Sequence, residues 1–357
     1  MQFMSRVIVG MSGGVDSAVT AYLLKMAGYD VIGVTLKIWL SENGRESRCC
    51  EIEDARRTAE VLEIPYYAVN CVSEFREKVT KPFLEQYLCG RTPNPCVGCN
   101  REIKWKQMIA CAQTMGAEYI ATGHYASILQ LPDGRYTVKK ADCVKKDQTY
   151  MLYRLSQEQL RRTLLPLGKL SKEEVRRIAA GAGLPIAEKK DSQELCFVTE
   201  GEYGEFVEMN AAPDGPVSGD FKDEAGNILG RHRGIYYYTV GQRKGLGVSL
   251  GYPVYVKRIL AETNEVILGR EEELYSTELL CVDMHFMGMK EMAPGEVRKA
   301  VVKIRYHHEG QEAELQMLED GKMLVRFQKS VRAAAPGQAA VFYSEDGWVL
   351  GGGTITI

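Results

Sequence analysis

Residues 9–17, Val-Gly-Met-Ser-Gly-Gly-Val-Asp-Ser, constrain the fold of this chain more than any other stretch. They follow a short apolar run, Val7-Ile8-Val9, that reads as a buried strand. They precede Ala18 to Ala27, apolar enough for a packed helix and stopped at Gly28. The glycines and serines therefore occupy a strand-to-helix turn. Gly13 and Gly14 permit positive φ and turn backbone N–H groups outward. Ser12 and Ser17 add hydroxyls, and the helix N-terminus adds partial positive charge. Such a turn holds a phosphate or pyrophosphate. It is not a Walker A loop, because no lysine follows the last glycine. Asp16 is expected to face the site, where a carboxylate beside phosphates ordinarily holds Mg²⁺.

The rhythm continues. Val31 to Leu36 reads as a strand, Asp54 to Leu62 as a helix ended by Pro65, and Tyr66 to Val72 as a third strand. Ser73 to Tyr87 and Glu102 to Met115 read as helices, and Tyr119 to His124 as a fourth strand running into a loop. Strands alternating with helices predict an α/β fold with a parallel sheet wound on both faces, its ligands at the carboxyl ends of the strands. The glycine-rich turn, the residues after Leu36, and Gly123-His124 all lie at such ends.

With 357 residues the chain has room for two or three domains. Hydrophobic content of 45% and charged content of 26% are ordinary for a globular protein. No apolar run approaches the roughly 18 residues of a membrane span, and a strand starts too early for a signal peptide, so the expected location is cytoplasmic. Ten cysteines in such a chain are no disulfide framework, and Cys71, Cys111 and Cys281 read as buried small hydrophobes. A net charge of −2 does not advertise nucleic acid, so any such partner must be met by local patches.

Four further features carry chemistry. Gly90 to Asn100, with two prolines and two glycines, reads as a loop bearing the pair Cys96 and Cys99. A CxxC suits thiol–disulfide chemistry or half of a metal site, and Cys196 is the nearest further ligand of matching character. Lys139-Lys140 and Lys145-Lys146 form a basic cluster after a hairpin turn at Pro132-Asp133-Gly134. Ser171 to Glu174 is a capping box for a helix ending near Gly183. The polar run Lys189-Lys190-Asp191-Ser192 precedes Cys196-Phe197 and favours a lowered thiol pKa. From about residue 205 the helical rhythm stops and short β-prone runs take over, Gly234 to Gly241 among them. Turns at Glu262-Thr263-Asn264, Glu319-Asp320-Gly321 and Glu345-Asp346-Gly347 punctuate what reads as a small β domain and then a β-barrel. The expected division is 1–204, 205–277 and 278–357.

The glycine-rich turn resembles the pyrophosphatase loop of the N-type ATP pyrophosphatases. Taken in order, GMSGGVDS (10–17), GRTPNPCVGCNREIKW (90–105), IATGHY (120–125), KDQTYML (146–152), KKDSQELCF (189–197), TVGQRKGLG (239–247), KIRY (303–306) and PGQAAVFY (336–343) resemble the tRNA-specific 2-thiouridylase family over nearly the whole chain. The resemblance implies replacement of the 2-oxygen of the wobble uridine (position 34) by sulfur, at the expense of ATP and with Mg²⁺. It implies that Gly10, Met11, Ser12, Gly13, Gly14, Val15, Asp16 and Ser17 bind ATP, with the backbone at Leu36 and Gly123 beside the nucleotide. It makes Cys99 and Cys196 the catalytic pair, closing to a disulfide in a persulfide scheme. By the same resemblance Asn94, Pro95 and Cys96 are expected to flank the target base, and His124, Lys146, Asp147, Gln148, Arg305, Tyr306 and Gln338 to contact tRNA. A cysteine desulfurase or sulfur-relay protein is the implied donor. One residue departs from the pattern: many members carry Asp where this chain has Cys96. Cys96, Cys99 and Cys196 would suit a [4Fe–4S] cluster with one open iron, an alternative to the persulfide scheme. The competing readings are another adenylating ligase of the same superfamily and a non-enzymatic RNA-binding protein. The first lacks a glutaminase domain or other acceptor site here, and the second leaves the loop and the cysteines without a purpose.

Overall fold

The computed structural model describes residues 5–40, 51–187, 189, 195–198, 203–211 and 217–356. The run Lys190-Asp191-Ser192 lies outside them. Strands β1 (Arg6–Gly10), β2 (Asp30–Lys37), β3 (Tyr66–Asn70) and β4 (Tyr119–Ala121) are parallel. After a hairpin of β5 (Ala126–Gln130) and β6 (Tyr136–Lys140), a two-residue strand, β7 (Thr163–Leu164), completes the sheet in the order β3-β2-β1-β4-β7. The chain winds outward from β1 on one side, then crosses to β4 on the other. That switch point opens a crevice at the carboxyl ends of β1 and β4. Strand pleating serves both layers. Val7 and Val9 pack with Val175 and Ala179 of helix Lys172–Gly181, whereas Ile8 packs in the cluster with Phe75 and Ile103.

Two long helical runs cover that second face, 72–88 and 95–114. Each contains a π-helical stretch, Arg76–Thr80 and Asn100–Trp105, and the two stretches pack against each other. The second run starts earlier than expected. Gly90 to Asn100 is not all loop, because helix begins at Pro95: the Asn94 side chain accepts from Cys96 N at 3.2 Å, and proline suits the first helical position, which needs no N–H.

The second part opens with helix Tyr203–Ala211, although helical rhythm was expected to have ended. Its sheet follows, β8 (Gly219–Lys222), β9 (Ile228–His232), β10 (Tyr255–Leu260) and β11 (Glu265–Gly269), in the order β10-β11-β8-β9. Residues 234–241 form no strand. Ile235–Tyr237 is a 3₁₀ turn that buries three consecutive tyrosines, Tyr236, Tyr237 and Tyr238, in the core.

The third part is a closed barrel of β12 (Tyr275–Phe286), β13 (Val297–Lys303), β14 (Gln311–Met317), β15 (Met323–Arg332), β16 (Ala339–Tyr343) and β17 (Val349–Thr356), ordered β12-β15-β14-β13-β16-β17. The divisions drawn at 204/205 and 277/278 fall inside helix Tyr203–Ala211 and strand β12. All three parts share one apolar core, which runs from Trp39 and Phe83 through Tyr237 and Val256 to Tyr343 and Val349. Among the described residues no helix is long and apolar enough to cross a membrane.

Candidate active site

The glycine-rich loop is braced from within. Gly13 has φ 78°, and a Cβ there would lie 2.6 Å from Glu51 O, so only glycine fits. Ser17 Oγ accepts from Ser12 N at 3.1 Å and donates to Gly14 O at 2.9 Å. Its proton is thus spent on the loop rather than offered to a ligand. Behind the loop, Met11 N donates to Val34 O, and Thr35 Oγ1 donates to Met11 O. Lys189 Nζ donates to Gly13 O at 3.2 Å and pairs with Glu51 and Asp54, which brings the chain just upstream of Cys196 to the loop.

Asp16 stands at the second position of helix Val15–Met26, and its carboxylate is engaged on both oxygens. Lys172 Nζ donates to Oδ1 at 2.8 Å and Oδ2 at 2.9 Å, and Tyr125 Oη donates to Oδ1 at 2.8 Å. Sequence reasoning treated Lys172 only as part of a capping box. The box is real, with Ser171 accepting from Glu174 N and Glu174 accepting from Ser171 N. Yet a lysine in the first turn opposes the helix dipole, and that was the available signal of a second duty. Gly123 seals the crevice: a Cβ there would lie 2.8 Å from the Asp16 carbonyl carbon and 2.9 Å from Ser17 N.

Cys96 and Cys99 sit on helix Pro95–Cys99, at the start of the run 95–114 that covers the second face of the sheet. Cys96 is exposed, Cys99 is buried and Cys196 is half-buried. Asn100, next to Cys99, is buried and donates to Met151 O at 3.1 Å. Cys196 is placed by its neighbour. The Phe197 ring is buried, with centroids of Phe83 at 5.2 Å, Phe206 at 5.3 Å, Phe75 at 5.6 Å and Trp39 at 6.1 Å. Cys99 belongs to the same core, and Cys196 packs against it. Phe197→Ala removes that anchor and should cost about 3–5 kcal/mol, read as a lowered urea midpoint. Phe197→Leu should retain most of the stability. If Phe197→Ala leaves the midpoint unmoved, the ring does not hold Cys196. Among the described residues no three His, Cys, Asp or Glu side chains are gathered as a metal-ligand set, so Cys96, Cys99 and Cys196 do not converge as a cluster site.

The residues assigned to RNA divide into two groups. Asp147 is buried and accepts from Ala141 N, Thr149 N and Thr149 Oγ1, so its carboxylate serves the turn. Gln148 Oε1 accepts from Tyr125 N, and Gln338 Nε2 donates to Thr92 O at 2.8 Å, clasping the barrel to the start of the cysteine helix. Lys146 is half-buried at the end of the turn Val144–Lys146, after the exposed Val144 and Lys145. Arg305 donates to Arg332 O on the barrel, and Tyr306 stacks edge-on to Tyr150 at 6.2 Å. Burial first, then the neighbouring Asp147 and Cys96, push the Tyr306 phenol up. His124 sits 5.4 Å from the Trp105 ring, with Nδ1 2.8 Å from Thr122 Oγ1. Desolvation, reinforced by Lys104, pulls its imidazole down to about 3.

Three family models match along the chain: a tRNA methyl transferase HUP domain over 5–200, its PRC-barrel domain over 205–270, and an aminomethyltransferase β-barrel domain over 276–355. A tRNA-specific 2-thiouridylase of Lachnoclostridium phytofermentans is 49% identical over 359 residues, covering 99% of both chains. The chain belongs to the tRNA-specific 2-thiouridylase family. Further family members from Thermoanaerobacter pseudethanolicus and Clostridium botulinum are 48% and 46% identical, each covering 98% of this chain and at least 97% of its own. Among solved structures, a U34-tRNA thiolase from Methanococcus maripaludis with its [4Fe–4S] cluster is 20% identical with a TM-score of 0.36, covering 58% of this chain and 66% of its own.

Proposed function

We propose that this protein is an ATP-dependent tRNA-uridine 2-sulfurtransferase acting in the cytoplasm on uridine 34. The observation that supports it most is the full-length 49% identity, on a chain whose phosphate loop and Cys99 pack into two different cores. The loop at Gly10–Ser17 cradles the ATP phosphates with its backbone N–H groups, and Gly123 lets the start of helix Val15–Met26 lie close to the end of β4. The C2 oxygen of the uracil attacks the α-phosphorus, forming a C2–O–P bond as pyrophosphate leaves. The terminal sulfur of a Cys196 persulfide then attacks C2, and the C2–O bond breaks to release AMP. The Cys99 thiolate next attacks Sγ of Cys196. The modified base departs as 2-thiouridine, and a Cys99–Cys196 disulfide remains for an external reductant. A cysteine desulfurase or sulfur-relay protein is the proposed source of the persulfide. The base must leave the anticodon stack to reach the Cys196 persulfide.

Neither metal proposal fits the arrangement of these side chains. A cation at Asp16 would stand beside the Lys172 ammonium, which already holds both carboxylate oxygens. The three thiols do not form a ligand set. No step above therefore passes through Mg²⁺ or a cluster.

The test is incubation with ATP, unmodified tRNA transcript and a persulfide donor. Pyrophosphate is measured, and the nucleosides are analysed for 2-thiouridine at position 34. Pyrophosphate without thiolation points to another adenylating ligase. Binding of tRNA with neither product points to an RNA-binding protein.

His124 gives a pH signature. Its pKa is lowered in the folded state, so the unfolded chain takes the proton first, near 6.5. Stability from the neutral form is complete above that pH and is lost as pH falls from 6.5 toward 3. His124→Gln should lose less stability than wild type between pH 6.5 and 4, measured by urea midpoints. Parallel losses in the two proteins would show that His124 titrates normally.

A further inference from the structure

We propose that Tyr125 is a positioning residue joining the lysine-bearing turn at 144–148 to the phosphate loop, so that tRNA and ATP bind with positive coupling. The inference rests on the proposed function, which makes the turn RNA-facing and the loop a nucleotide site.

The path begins at the surface. Val144 is 79% exposed and Lys145 is exposed beside it, so the tip of this turn faces solvent. Its foot is rigid. Asp147 is buried, with Thr149 Oγ1 donating at 2.8 Å and Ala141 N at 3.2 Å. The adjacent Gln148 grips Tyr125 at both backbone groups: Gln148 N donates to Tyr125 O at 3.0 Å, and Gln148 Oε1 accepts from Tyr125 N at 2.9 Å. Such two-point pairing leaves Tyr125 little freedom to move independently of the turn. The Tyr125 side chain is buried, and its hydroxyl donates to Asp16 Oδ1 at 2.8 Å. Asp16 lies in the first turn of helix Val15–Met26, whose N-terminus is the proposed phosphate site. Two residues before Tyr125, Gly123 presses on the backbone of Asp16 and Ser17. A shift of the lysine turn is therefore transmitted through Gln148 and Tyr125 to the loop carboxylate, through groups that are buried or directly hydrogen-bonded.

If each ligand favours the same placement of this path, each tightens the binding of the other by an equal factor. Packing alone would need only the ring of Tyr125. The hydroxyl bond to Asp16 and the side-chain bond from Gln148 are what a coupling role adds.

The experiment measures affinity for α,β-methylene-ATP, which cannot release pyrophosphate, with and without saturating unmodified tRNA. It compares wild type, Tyr125→Phe, Gln148→Met and the double variant. In wild type, tRNA should tighten nucleotide binding at least about fivefold. In Tyr125→Phe and Gln148→Met the ratio should fall toward one, and the double variant should lose no more than either single one. A purely structural role would weaken both ligands and leave the ratio intact. A wild-type ratio of one, or a preserved ratio in Tyr125→Phe, overturns the inference. Wild type that binds neither nucleotide nor tRNA overturns the functional reading and this inference with it.

Discussion

Cys196→Ser should reduce 2-thiouridine formation to background while tRNA-dependent pyrophosphate release continues. The two half-reactions use different walls of the crevice. Activation needs the loop at Gly10–Ser17 and the groups that hold Asp16, all packed on the Val7 and Val9 side of the sheet. Sulfur transfer needs a soft nucleophile beside C2, and Cys196 packs against the other core, next to Phe197. A serine hydroxyl carries no sulfane sulfur but is close in size, so the aromatic cluster around Phe197 stays filled. Cys99→Ser should behave differently. It leaves Cys196 able to attack C2 but removes the thiolate that frees the base, so tRNA joined to the protein through a reducible disulfide should accumulate. Non-reducing gels with labelled tRNA detect that species. Normal 2-thiouridine from Cys196→Ser would show that this cysteine is structural.

Asp16→Asn should lose at least about a hundredfold in pyrophosphate release, the scale expected when a reacting group shifts by about 1 Å. It should lose stability as well. Asp16 neutralises Lys172, whose side chain is only 9% exposed, against 31% for that of Asp16. An amide would take the Asp16 charge away from that buried ammonium. Breaking a fully buried pair costs about 3–5 kcal/mol. Partial exposure of Asp16 lowers the expectation to about 1–3 kcal/mol. Adding Lys172→Met should restore the urea midpoint, because the stranded charge is gone, but not the activity, because the loop remains unsupported. Recovery of both would reduce the pair to a fold-stabilising contact, and unchanged activity in Asp16→Asn would end its role.

Features read correctly from sequence were those decided within a few residues. The loop needed Gly13 because a positive φ and the approach of Glu51 leave room for nothing larger, and the strand-to-helix punctuation showed it. The hairpin at Pro132-Asp133-Gly134 and the turns at Gly321 and Gly347 have their glycines at positive φ as their composition suggested. Features missed were decided by distant partners. Thr163–Leu164 is a strand only because β4 lies beside it, and two residues carry no periodicity. Tyr236 to Tyr238 have strand composition, yet they turn inward to meet partners such as Glu208 and Tyr203. The helix start at Pro95 was hidden because proline and glycine favour loops on average, whereas proline at a first helical position does not break the helix. In the site, both glycine contacts of the crevice belong to motif residues, but the grip of Lys172 and Tyr125 on Asp16 spans 156 and 109 residues and leaves no local trace.

The core shared by all three parts has a consequence for how the chain matures during synthesis. Thr137 Oγ1 donates to Val349 O, 212 residues onward, and Tyr150 Oη donates to Ala339 O, 189 residues onward. At an elongation rate of about 5–20 residues per second, these buried groups wait on the order of ten seconds or more for their acceptors. Throughout that time the nascent catalytic part presents uncovered tyrosine and aliphatic surface, of the kind that chaperones bind. The nucleotide loop can close its own local bonds within the first few dozen residues, but it waits for Tyr125, Lys172 and Lys189 to brace it.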